Sequence, residues 1–204
     1  MVYLTHLFYG IIMAYFGLIS PGMLNMTALK TRIDVGKTAS IKYAFGAAIV
    51  VLIQAGIALL FADYFIKNPK VIEVLKTVGV FVFFALAVFF FYLSRKKIAT
   101  KAKSGTGNFF IKGMAMSAVN MLAIPFYLGI SIYLASENKI IVAQPYILIF
   151  VLGASIGSFL LFFTYISFAK IIIKKISFIA TNINGILSLL FLILGILTLI
   201  KLLP

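Results

Sequence analysis

Six apolar runs, each long enough to cross a lipid bilayer and each ended by charge, leave this chain almost no soluble fold to adopt. They fall at about 4–28, 39–66, 71–94, 109–135, 141–169 and 180–202. A spanning helix needs about 20 apolar residues, so 204 residues hold six spans, short loops and no separate soluble domain. The second and fifth runs are long enough to tilt. Charged residues make up only 11% of the chain, under half the ~25% usual in soluble domains, which identifies an integral membrane protein. The expected fold is all-α, a single polytopic transmembrane domain over 1–204.

The first run lacks a basic leading stretch and is too long for a signal peptide, so it is expected to remain as the first span. The net charge of +14 does not point to nucleic acid, because the lysines gather at the ends of runs. Thirteen of the eighteen basic residues flank the first, third and fifth loops, among them Lys30, Arg32, Lys96, Lys97 and Lys174. Cytoplasmic loops hold the excess of basic residues, so both termini are expected outside the cytoplasm. Cysteine is absent and there are one histidine and four carboxylates. No nucleophile, acid-base pair or metal-ligand set can be assembled from these, which argues against an enzyme, a cofactor or a bound metal.

The first run is interrupted near its middle by Ser20-Pro21-Gly22. Proline lacks a backbone donor and clashes with the carbonyl four residues earlier, so a helix there must kink or restart. Loosened backbone at membrane depth survives only inside protein or beside water, which makes an interrupted span a pointer to a transport site. In a restart, Ser20 serves as N-cap and Pro21 as first helical residue, leaving the amides of Gly22, Met23 and Leu24 for an anion. A plain kink that only shapes the bundle is the alternative. Pro125 interrupts the fourth run in the same way.

The halves resemble one another. Gly46-Ala47-Ala48 has a counterpart in Gly153-Ala154-Ser155, and Thr77-Val78-Gly79 in Ile183-Asn184-Gly185. Pro21 to Gly46 is 25 residues and Pro125 to Gly153 is 28; Gly46 to Gly79 is 33 and Gly153 to Gly185 is 32. Three spans per half make the second copy enter from the opposite side, an inverted repeat of about 1–94 and 109–204 joined by a polar connector at 95–108. Chance likeness between glycine-containing helices is the competing explanation.

Small residues let helices approach closely in lipid, so Gly46, and Gly153 with Gly157, mark packing faces that can serve a homodimer as readily as the monomer core. Gln54 lies on the Gly46 face and points toward protein, to bind substrate or to bond a neighbouring helix. Candidate substrate-binding residues are Ser20, Pro21, Gly22, Asn25, Asn120, Pro125, Gln54, Tyr15 and Tyr127. The amides after Pro21 would take a carboxylate, while Asn25, Asn120 and carbonyls freed by Pro125 would take an ammonium group. For proton coupling only Asp63 and His6 present themselves. Asp63 is spaced for an ion pair with Lys67, and His6 sits where an interfacial anchor would.

Several segments together resemble the lysine exporter and homoserine/threonine efflux type of translocator (LysE/RhtB). They are Ser20-Pro21-Gly22-Met23, then Thr31-Arg32-Ile33-Asp34-Val35-Gly36, Gly46, Leu75-Lys76-Thr77-Val78-Gly79, Ser94-Arg95-Lys96-Lys97, and Phe110-Ile111-Lys112-Gly113 leading to Asn120. Met23 stands where that family has a second proline, and Asn120-Met121-Leu122 where it has Asn-Pro-Lys. The resemblance implies a six-helix inner-membrane exporter of amino acids or related metabolites, driven by the proton gradient. A channel or a non-transporting assembly factor is the alternative function.

Overall fold

The structure is a computed structural model that describes residues 1–19, 22–95, 107–120, 122–175 and 177–202. Among them it is all-helical: α1 (Val2–Gly17), α2 (Met23–Asp34), α3 (Lys37–Lys67), α4 (Pro69–Arg95), α5 (Phe109–Ala118), α6 (Ala123–Ser136), α7 (Tyr146–Ser167), α8 (Ala169–Lys175) and α9 (Ser177–Leu202). Among the described residues α3 and α7 are each long and apolar enough to cross a membrane, and α5 with α6, bent by 63° at their break, form a third candidate span. The helices α4 and α9, 27 and 26 residues long, also exceed the ~20 a crossing requires.

Helix ends follow local chemistry. The Asn108 side chain caps α5 by accepting from the amides of Phe110 and Ile111, at 3.1 and 3.4 Å. At the end of α6, Asn138 adopts a left-handed φ of 55°, while the amides of Asn138 and Lys139 donate back to Ala135 and Leu134 at 3.0 and 2.9 Å. That Schellman closure ends the helix, since asparagine tolerates the left-handed region better than most residues. The fifth run accordingly turns helical at Tyr146, five residues later than its apolar pattern suggests.

The helices form two units, each drawing on both halves of the sequence: Met1–Ile66 with Lys103–Lys174, and Lys67–Ala102 with Lys175–Pro204. In the second unit α4 lies along α9, with Phe90 stacked on Phe191 at 5.7 Å and Ser188 Oγ donating to the Ala87 carbonyl at 2.8 Å.

In the first unit, two crossings bring backbone against backbone. A Cβ on Gly10 of α1 would collide with the Phe150 carbonyl oxygen of α7, and one on Gly153 with that of Leu7. A Cβ on Gly46 of α3 would strike the Phe110 carbonyl oxygen of α5, and one on Gly113 that of Tyr43. Only glycine admits such approaches, where dispersion between backbones replaces the hydrophobic effect that lipid cannot supply. Gly157 meets Ile11 one turn beyond the Leu7 contact, so α1 and α7 run in the same direction. Around these crossings Ala14, Val51, Ala55, Ala123, Tyr127, Phe150 and Ala154 form a buried core.

Candidate functional site

Two helix breaks lie in the first unit, one between α1 and α2 and one between α5 and α6. α1 stops at Gly17 and α2 restarts at Met23, with Gly22 as an extended N-cap at φ −77°, ψ 177°. The restart thus falls at Gly22, two residues beyond the expected Ser20 cap, and Ser20 and Pro21 themselves lie outside the described residues. Gly22 brings no side chain to the first-turn amides, so those of Met23 and Leu24 are presented, and the Gly22 amide of the expected set precedes the helix.

The second break differs from expectation more. α5 ends at Ala118 and α6 starts at Ala123 after Leu122, so the chain is interrupted ahead of Pro125. Pro125 is the third residue of α6 and is exposed. An amide in the first turn has no intrahelical partner to lose, so proline there is compatible with a helix beginning and need not break one. The carbonyls left open at this break belong to α5 and the connection, and Pro125 does not release them.

Those open backbone groups are held by side chains. At the first break Asn25 Nδ2 donates to the Leu18 carbonyl and the Tyr165 hydroxyl of α7 to the Ile19 carbonyl, both at 2.7 Å. Tyr15 shares a 3.1 Å hydrogen bond with Thr164 Oγ1 one turn away. Tyr43 of α3 donates to the Leu24 carbonyl at 3.3 Å, and Ser40 Oγ to that of Ala28 at 2.5 Å, which anchors α2 against α3. At the second break Gln54 Nε2 of α3 donates to the carbonyls of Ser117 and Asn120, at 2.9 and 3.5 Å. Asn120 is half-buried, its amide returning to the Ser117 carbonyl at 3.0 Å. Asn25 is 4% exposed, Gln54 6% and Tyr127 0%, so these polar groups sit in protein.

The two breaks are neighbours. A Cβ on Gly17, the last residue of α1, would run into the ring of Phe126, which follows Pro125. Two concavities lie elsewhere: one of about 460 Å³ beside Thr38, Lys42, Phe45 and Phe110, and one of about 280 Å³ between α3 and the start of α7, with Gln144 on its rim.

The proton-coupling candidates stand apart from the breaks. Asp63 is half-buried in the last turns of α3, one turn before Lys67. His6, expected as an interfacial anchor, is 2% exposed and fully engaged. Its Nε2 accepts from the Ile141 amide and its Nδ1 meets the Val2 carbonyl, both at 2.7 Å. The first contact requires a bare nitrogen and the second an N–H, so the ring is the neutral Nδ1–H tautomer. It also stacks on Tyr146 at 4.9 Å between ring centres.

Sequence reasoning missed Tyr165 and Ser117. Each continues a glycine stripe at four-residue spacing: Gly153, Gly157, Leu161, Tyr165 on α7, and Gly113, Ser117 on α5. Following the stripes to the next polar residue would have found both.

Interrupted helices inside an apolar bundle, with the freed carbonyls held by side chains of neighbouring helices, belong to an α-helical membrane protein. The family model described as LysE type translocator matches residues 15–202, nearly the whole chain, and the chain belongs to that family. No curated protein and no solved structure matches it.

Proposed function

We propose that this translocator is a secondary-active exporter of amino acids or related small metabolites, built as two inverted three-helix repeats in the cytoplasmic membrane. The repeats are α1 to α4 and α5 to α9, six spans in all, with both termini outside the cytoplasm. One observation carries this reading: each broken first span is gripped at its break by the second span of the other half, through Tyr165 at Ile19 and through Gln54 at Ser117.

Other contacts support the repeat. The crossing of α1 with α7 has its counterpart in that of α5 with α3, glycine against backbone each time. Ser155 Oγ donates to the carbonyl of Ala48 at 2.9 Å, and these two residues correspond in the sequence halves. Contact between corresponding residues is expected on a two-fold axis, because only there do equivalent positions meet.

In this reading a substrate carboxylate is taken by the amides of Met23 and Leu24, at the positive end of α2. Gly22, Asn25, Asn120, Gln54, Tyr15 and Tyr127 border its path, with Ser20 and Pro21 between the halves of the first span. Export is coupled to the proton gradient, Asp63 and His6 being the carriers to test. Efflux that persists after Asp63→Asn and His6→Gln removes both.

The decisive experiment loads cells with dipeptides, expresses the chain and measures which amino acids leave. Pro21→Leu should lower efflux with membrane insertion intact; unchanged efflux would refute the site. Counterflow of the exported amino acid in proteoliposomes then separates a carrier from a channel or an assembly factor.

A further inference from the structure

Three polar atoms are shut in without a hydrogen-bond partner among the described residues: Gln54 Oε1, Ser117 Oγ and the Tyr127 hydroxyl. Their residues are 6%, 0% and 0% exposed. A buried polar atom left unmatched is costly, so three of them require an explanation.

Backbone and packing contacts tie all three residues to the second break. The Gln54 amide nitrogen holds the Ser117 carbonyl at 2.9 Å, which puts its oxygen and the Ser117 hydroxyl on the same break. Tyr127 lies one turn beyond Ala123, whose amide donates to the Asn120 carbonyl at 3.3 Å. A helical side chain leans toward its own N-terminus, which turns Tyr127 back to the break. Tyr127, Ala123 and Ala55, the residue after Gln54, belong to one core cluster. The Gln54 amide cannot be reversed, since that would set its oxygen against two carbonyl oxygens.

We propose that Gln54 Oε1, Ser117 Oγ and the Tyr127 hydroxyl form a subsite for a monovalent cationic group, a primary ammonium or an alkali cation, at the C-terminal end of α5. An amide oxygen only accepts, so its partner must be a donor or a cation. The two hydroxyls can turn their lone pairs the same way. The end of α5 carries the negative pole of the helix, and open carbonyls at such ends suit cations. With no carboxylate among the three, a single positive charge fits better than a double one. The subsite rests on the exporter reading for its place on a transport path: it would face the ammonium end of a zwitterion whose carboxylate lies at α2, or hold a coupling ion.

The test uses the full-length protein purified in detergent, its thermal unfolding followed in methylammonium, sodium and tetramethylammonium chloride at equal ionic strength. Methylammonium or sodium should raise the midpoint by about 3 °C or more over tetramethylammonium, which is bulky and has no N–H. Ser117→Ala with Tyr127→Phe removes two of the oxygens and leaves the Gln54 bridge. That variant should melt higher than the parent without added cation and lose most of the cation shift. Each single change, should the pair not fold, should lose part of it. A shift from methylammonium alone assigns the subsite to substrate, and one from sodium alone to ion coupling.

Equal midpoints in all three salts, or a shift that survives the substitutions, overturn the proposal in favour of a buried water. Amino-acid export without a cation shift sinks the subsite alone, and a cation shift without export from dipeptide-loaded cells sinks the exporter reading alone.

Discussion

The Tyr165 hydroxyl donates to the Ile19 carbonyl across 2.7 Å, joining residues 146 positions apart at a point where the helix has let its own carbonyl go. Tyr165→Phe keeps the ring and removes only that donor. The chain should lose about 0.5–1.5 kcal/mol, the net worth of one hydrogen bond, since Ile19 is itself exposed and its carbonyl is not sealed in. Thermal unfolding in detergent reads this, with the exposed Tyr133→Phe as a control that should leave the midpoint unchanged.

Glycine substitutions should divide by position. Gly46→Ala and Gly113→Ala set a methyl group into a neighbouring backbone, which cannot retreat as a flexible side chain can, and each should destabilise by about 1–3 kcal/mol. Gly56 and Gly129 have open space at the Cβ position. Alanine there should be neutral or stabilise by up to about 1 kcal/mol, because glycine weakens a helix interior.

His6→Ala leaves the Ile141 amide unmatched and removes the ring that stacks on Tyr146. Amide hydrogen exchange around residue 141 should accelerate by about tenfold or more, corresponding to roughly 1.4 kcal/mol or above. Exchange across the α3 and α5 crossing should stay as it is.

Pro125→Ala tests where the second break originates. With the interruption already complete at Leu122, alanine in the first turn of α6 should preserve both the bend and the efflux, with stability changing by about 0.5 kcal/mol or less. Loss of efflux comparable to that of Pro21→Leu would return Pro125 to the site.

The helix pattern was legible because apolar runs ended by charge leave few choices: α3 at Lys37–Lys67 and α4 at Pro69–Arg95 begin and end within three residues of their runs. Gln54 pointed toward protein as its glycine stripe indicated, and Gly153 with Gly157 faces a helix as the small-residue spacing indicated. The second break was misplaced because Asn120 carries no helix-breaking signature, while Pro125 carries a strong one that is harmless in a first turn. The burial of His6 was not legible at all. Its partner is a backbone amide 135 residues away, and backbone groups leave no trace in composition or periodicity.

The glycine crossings bear on biogenesis. Leu7 finds Gly153, and Tyr43 finds Gly113, only after the ribosome has delivered the later segment. A nascent chain released after α4 would hold bare glycine grooves and open carbonyls without the helices shaped to fill them. Assembly must therefore be a late event, in which α5 and α7 close onto helices made earlier.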